Sequence, residues 1–225
     1  MCGRYTLTLQ GSMIADLFEI DPSGLELEPQ YNIAPTNRVL TVTSDGESKR
    51  GQLMRWGLIP WFSKEPKTRY NLINARAETI AENNAYKGPF KARRCLIPAD
   101  SFFEWKRLDA KNKQPMRIML KSEEPFAFAG IWEYWKDKNN PESEGITSCS
   151  IITTVPNSLM GAIHDRMPVI LPREFYQDWL DPKNEDTGAL REMLLPYDPS
   201  LMKAFAVSRA VNSVGNQGPE VVQPA

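Results

Sequence analysis

Short apolar or alternating runs recur along the chain with polar turns between them, whereas long helical stripes are scarce. Val39-Leu40-Thr41-Val42-Thr43 is rich in β-branched residues and predicts a strand. Asp45-Gly46 supplies a turn, and Leu53-Met54-Arg55-Trp56-Gly57 predicts the returning arm of a hairpin. Residues 94–98, 115–120, 126–132 and 148–154 repeat the strand pattern, and Ala204 to Val207 predicts a last one. Helical spacing is confined to a few places. Ser12 is placed to cap a short helix with Met13, Ile14, Leu17 and Phe18 on one face. Asn74 to Ala81 has helix-forming composition. Pro172 to Leu180 puts proline in a first turn and Phe175, Tyr176 and Trp179 on one side. A further helix is expected from Gly188 to Leu195, closed by Pro196. Strands at this spacing, mostly without long helices between them, predict an α+β fold with a largely antiparallel β core.

The chain has 225 residues, of which 41% are hydrophobic, enough for one substantial core in one domain. Its net charge of -1 announces no polyanionic partner, but the charge is unevenly spread. Residues 1–30 carry Arg4 against Asp16, Glu19, Asp21, Glu26 and Glu28, whereas residues 49–121 hold 17 Lys or Arg against 6 Asp or Glu. A basic middle in a neutral chain suggests a local anionic site; a solvated face is the plainer meaning. Cys2, Cys95 and Cys149 are odd in number and widely spaced, which suggests neither a disulfide framework nor a zinc site. Cys95 and Cys149 lie in apolar runs and are expected in the core. No apolar run approaches the roughly 20 residues of a membrane helix. With no signal peptide, a soluble intracellular protein without metal or cofactor is expected.

The candidate chemistry begins at Met1-Cys2-Gly3-Arg4-Tyr5. Removal of Met1 would leave Cys2 with an α-amine and a thiol on adjacent carbons. Ordinary values of about 7.7 to 8.0 for the amine and about 8.5 for the thiol make both partly deprotonated near neutrality. An aldehyde would form a Schiff base with the amine, and the thiol could then close a thiazolidine ring. Glu104, in Phe103-Glu104-Trp105, has aromatic neighbours that favour its neutral form and suit it to general acid and base work; an exposed edge-strand carboxylate is the plain alternative. His164, the lone histidine, reads either as a hydrogen-bonded structural residue or as a proton exchanger, and Arg166 nearby could pair with Asp165 or hold a phosphate. Asn74 offers an amide that can orient an amine, and Arg76 a cation that can bind phosphate. Pro60, Trp61 and Phe62 could form a lid or a stacking platform, although adjacent aromatics taken alone are expected in the core.

Taken in order, Met1-Cys2-Gly3-Arg4-Tyr5, Tyr31-Asn32-Ile33-Ala34-Pro35-Thr36, Trp56-Gly57-Leu58-Ile59-Pro60-Trp61, Asn74-Ala75-Arg76-Ala77-Glu78, Phe103-Glu104-Trp105, His164-Asp165-Arg166-Met167-Pro168, Val207-Ser208-Arg209-Ala210-Val211 and Asn216-Gln217-Gly218-Pro219-Glu220 resemble the SRAP family, the SOS-response-associated peptidase domain. The resemblance implies one domain over residues 2–225 with a barrel-like β core. It also implies covalent capture of abasic sites in single-stranded DNA. Carried over by motif, Cys2 would form the thiazolidine, Asn74 would orient its amine and thiol, Glu104 would shuttle protons, and His164 would assist opening of the sugar ring. Arg4, Arg76 and Arg166 would hold phosphates, and Pro35, Trp61 and Trp105 would shape the strand. The family label adds a self-processing peptidase activity, here the exposure of Cys2, and a lyase-like activity. Replication-fork proteins are the expected protein partners, and a monomer the expected state. Two other readings stay open: an N-terminal-nucleophile amidohydrolase such as a glutamine amidotransferase, and a non-covalent binder of single-stranded or modified DNA.

Overall fold

The structure is a computed structural model and describes residues 2–21, 23–24, 27–66, 72–140 and 142–225. Met1, whose removal is expected, lies outside the described residues. The chain begins with β1 (Tyr5–Leu7), α1 (Gly11–Phe18), β2 (Gln30–Ile33), β3 (Arg38–Ser44), β4 (Lys49–Trp56) and β5 (Asn74–Arg76). There follow α2 (Lys87–Ala92), β6 (Arg94–Ala99), β7 (Ser101–Arg107), β8 (Lys113–Leu120), β9 (Phe126–Trp135) and β10 (Ile146–Thr154). The last third holds α3 (Ser158–Gly161), β11 (Met167–Pro168), β12 (Ile170–Leu171), α4 (Tyr176–Leu180), α5 (Thr187–Glu192) and β13 (Met202–Ala206).

Two sheets result, and the α+β expectation holds. One has the order β13-β8-β7-β1-β2; the other runs β11-β10-β4-β3-β6-β9-β12. Strand β10 also pairs with β9, so β10, β4, β3, β6 and β9 close into a ring that leaves no free edge among them. Pairing is antiparallel apart from β10, which runs parallel to β4 at Ser148 and Cys149 and then parallel to β5 from Ile151 to Thr153. The five-stranded sheet packs on the ring through aromatic edges: Tyr5 lies 5.3 Å from Trp56 and 5.7 Å from Phe128, and Phe102 lies 6.0 Å from Phe128. Cys95 and Cys149 are fully buried in this core.

A smaller cluster of Phe103, Val207, Val211, Val221 and Val222 packs against Tyr31, Trp105 and Phe205. It fastens the C-terminal segment to β7. Asn32 supports the same fastening, since its buried side chain donates to the carbonyls of Val211, Ser213 and Asn216 at 3.3, 3.0 and 2.9 Å.

Three local expectations change. Helix α1 starts at Gly11 with Gln10 as its N-cap residue, so Ser12 lies inside it, and Ile14, Ala15 and Phe18 form its buried face while Met13 is exposed. Asn74 to Ala81 is no helix: Asn74–Arg76 is a strand and turns follow it. Its backbone is claimed by β10, with Ile151 N donating to Ile73 O and Ala77 N to Thr153 O, and that pairing overrides helix propensity. Trp61 and Phe62 are exposed, whereas Ile59 and Pro60 before them are buried.

Candidate functional site

The period of a strand decides where Glu104 points. Along β7, Phe102 faces the main core, Phe103 faces the C-terminal cluster, and Glu104 returns to the side of Phe102. Only 3% of Glu104 is exposed. Strand β1 lies beside β7 with Tyr5 opposite Phe102, and Phe103 N donates to Arg4 O at 2.9 Å. This register leads the chain start back toward Glu104. Burial raises the Glu104 carboxyl above its ordinary value.

Cys2 is fully buried. Burial, and then the charge of Glu104, push its thiol far above the usual range. The sequence suggested a thiol partly ionised near neutrality; in this setting it is a neutral S–H, because a thiolate here would be poorly solvated and would face a carboxylate. On the other side, Asn74 Nδ2 donates to Cys2 O at 2.9 Å. The Asn74 carbonyl is in turn held by Tyr86 Oη, which donates at 3.1 Å. Asn74 Oδ1 is buried with no hydrogen-bond partner among the described residues. An acceptor in that position suits a donor such as an amine.

His164 reaches the same place from another part of the chain. Asn157 caps α3 by accepting from Met160 N at 2.9 Å, and His164 N donates to Met160 O at 2.8 Å. The imidazole Nδ1 accepts from Arg166 N at 3.1 Å, while Nε2 lies 4.0 Å from Glu104 Oε2. Nε2 is thus the ring nitrogen turned to the Glu104 side. Asp165 Oδ1 is exposed and lies 2.9 Å from Nδ1.

The four candidate catalytic residues therefore converge: Cys2 contacts Asn74, shares a field with Glu104, and Glu104 faces His164. The candidate strand-binding residues divide into groups around them. Arg4 Nη1 donates to Asn32 Oδ1 at 2.8 Å and Val211 O at 2.7 Å, and its guanidinium sits 5.8 Å from the Trp105 ring centroid. Trp105 Nε1 donates to Asn212 Oδ1 at 2.7 Å. Arg166 is held end-on by Glu78, at 2.6 and 2.9 Å, and donates to Thr153 O at 2.8 Å. Arg76 is exposed at the end of β5 and contributes to the field at Glu78. Trp61 meets Phe62 edge to face and carries Lys138 Nζ 5.1 Å above its ring. Pro35 is half-buried between β2 and β3. Pro35 and Trp61 have no described contact with the Cys2 group.

Sequence reasoning missed Asn32, Glu78 and Asn212 as supports. The first two stand inside motifs quoted above, but their partners are far away along the chain. Among the described residues no three His, Cys, Asp or Glu side chains gather to hold a metal ion. A separate cleft of about 640 Å³ between β8, β12, α4 and the segment after α5 includes none of the candidate residues.

Comparison with known proteins agrees with the motif order. The model of the SOS response associated peptidase (SRAP) family matches residues 1–214. The chain is 50% identical to the abasic site processing protein YoqW of Bacillus subtilis, covering 99% of both chains. It is 31% identical to the abasic site processing protein YedK of Escherichia coli over the whole of both. A crystal structure of a Bacteroides thetaiotaomicron protein matches with a TM-score of 0.90 at 30% identity over all of both chains.

Proposed function

The chain belongs to the SOS response associated peptidase family, and from that membership we propose that it captures abasic sites in single-stranded DNA by a covalent bond to Cys2. The observation that carries the reading is the meeting of Cys2, Asn74, Glu104 and His164, drawn from four separate parts of the sequence.

Removal of Met1 frees the α-amine of Cys2. This step is the only peptidase action the reading requires. An abasic deoxyribose in its ring-opened form presents an aldehyde, and the Cys2 nitrogen adds to that carbon to give a carbinolamine. Loss of the hydroxyl as water leaves an imine. The sulfur then adds to the imine carbon while its proton passes to nitrogen, so aldehyde and aminothiol become a thiazolidine and one water. Glu104 can serve both proton transfers. Burial raises its proton affinity, so in its acid form it can donate to the departing hydroxyl, and as a carboxylate it can take the proton of the neutral thiol. Asn74 fixes the Cys2 backbone and offers Oδ1 to the amine. His164, with Nε2 turned toward Glu104, is placed to assist opening of the sugar ring.

Arg4, Arg76 and Arg166 are assigned to backbone phosphates, and Pro35, Trp61 and Trp105 to the bases and sugars. The setting of the reaction is intracellular, on single strands exposed at replication, where fork proteins would be neighbours. The decisive experiment mixes the purified chain with an oligonucleotide bearing one abasic site and resolves the product on a denaturing gel. A shifted band that disappears with Cys2→Ala is expected. A band that persists in Cys2→Ala, or complete dissociation on denaturation, would overturn the reading. Glutamine hydrolysis lost with Cys2→Ala would point instead to an amidohydrolase.

A further inference from the structure

Arg166 is assigned to phosphate, yet in the protein alone its two terminal nitrogens are already occupied. Nη1 and Nη2 donate to the two carboxylate oxygens of Glu78 at 2.6 and 2.9 Å, the forked arrangement a phosphate would itself adopt. The two partners are unequally anchored. The Arg166 side chain is 13% exposed and also donates to Thr153 O, which accepts from Ala77 N as well. The Glu78 side chain is 44% exposed and lies on a turn, so it can leave while the arginine stays. Arg166 Nε is buried with no hydrogen-bond partner among the described residues, so the closed fork leaves a donor unused.

We propose that Glu78 is a built-in competitor for the Arg166 guanidinium, closing it against the phosphates of undamaged strands. The proposal rests on the assignment of Arg166 to phosphate. When a strand enters, one phosphate takes the fork and the Glu78 carboxylate moves to solvent, where Arg76 is near enough to attract it. The exchange is one anion for another. It lowers affinity for any strand, so that lasting retention depends on capture at Cys2. Hydrogen bonding from Arg166 holds the Glu78 carboxyl below its ordinary value, so the competitor stays ionised at neutral pH.

The test is binding of undamaged oligo-dT, read by fluorescence anisotropy over a salt series, for wild type, Glu78→Gln, Arg166→Gln and the double variant. Glu78→Gln is expected to tighten binding about two- to fivefold, the worth of a favourable surface ion pair. It should also steepen the salt dependence by up to about 0.7 in log–log slope. Arg166→Gln weakens binding, and in that background Glu78→Gln brings no gain. Glu82→Gln, which removes the same charge from the neighbouring exposed turn, controls for net charge. The proposal is overturned if Glu78→Gln gains no more than Glu82→Gln, or if its gain survives in Arg166→Gln. Should Arg166→Gln bind as tightly as wild type, the phosphate assignment itself fails; abasic-site crosslinking by Cys2 is read separately on the gel. If Glu78→Gln melts at low temperature, Glu78→Asp, one methylene shorter, takes its place with a smaller gain expected and the same two overturning results.

Discussion

Asn74 Nδ2 donates to the carbonyl oxygen of Cys2 across 2.9 Å, and this bond joins a three-residue parallel strand to the start of the chain. The amide has one orientation in which Nδ2 meets that carbonyl, and Oδ1 is then buried without a partner among the described residues. Asn74→Ala removes both the tether and the acceptor. Losing hydrogen bonds to a reacting group costs about 1–1.5 kcal/mol, so abasic-site crosslinking should slow about tenfold. Single-turnover gel kinetics measure it, and a wild-type rate would remove Asn74 from its assigned role.

Glu104→Gln separates chemistry from stability. Crosslinking should slow by about a hundredfold or more, the usual worth of a general acid–base group, with oligo-dT affinity nearly intact. Because burial raises the Glu104 carboxyl, the folded chain binds more protons than the unfolded one from the ordinary value of 4.5 up to the raised value. Wild-type stability therefore declines as pH climbs through that window, a decline the glutamine variant lacks. The melting temperature of Glu104→Gln relative to wild type should be higher at pH 8 than at pH 4. An unchanged difference between the two pH values would contradict the burial argument.

Asn32→Ala tests the C-terminal fastening. Its loss leaves three carbonyls and the Arg4 guanidinium without their buried partner, which should lower stability by about 2 kcal/mol in urea titration. Hydrogen exchange should rise first in residues 208–218. Exchange that rises uniformly instead would show that this segment is not held separately.

Trp61→Ala should leave stability within about 0.5 kcal/mol of wild type because the ring is 56% exposed. Affinity for single strands should fall by about 1–3 kcal/mol if one base stacks there. Equal affinity in anisotropy would confine the platform to Trp105.

Gly130→Ala probes the ring core. An added Cβ would lie 2.8 Å from Cys95 Sγ and 2.8 Å from Ile97 Cδ1. Two fully buried neighbours have little room to retreat, so a loss of about 1–3 kcal/mol is expected by chemical denaturation.

How much of this could be read from the sequence follows the range of each interaction. The β3–β4 hairpin was legible because its turn and both alternating arms are local. Glu104 was legible as a candidate acid but not as a buried one: its aromatic chain neighbours Phe103 and Trp105 turn to the C-terminal cluster, and its burial comes from the opposite face of β7, beside Phe102. Asn74–Arg76 was misread as helical because its extended form comes from β10, remote in sequence, while its composition speaks only for itself. β1 has three residues and no periodicity to detect; it exists because β2 and β7 flank it. The Trp61–Phe62 pair was expected inside, since aromatic character does not reveal which rings a loop turns outward. The motif resemblance named the candidate residues, but the Glu78 fork on Arg166 and the neutral Cys2 sulfur became visible only through contact and burial.

The enclosed, neutral sulfur of Cys2 bears on which reagents can reach it. Peroxide, disulfides and alkylating agents all react with the ionised form of cysteine, and they need a path to it. A sulfur enclosed from water and kept protonated by its surroundings denies them both, although it occupies the chain's second position. On the capture proposed above, which would use Cys2 once, that enclosure would keep the residue from being spent on the commonest oxidants first.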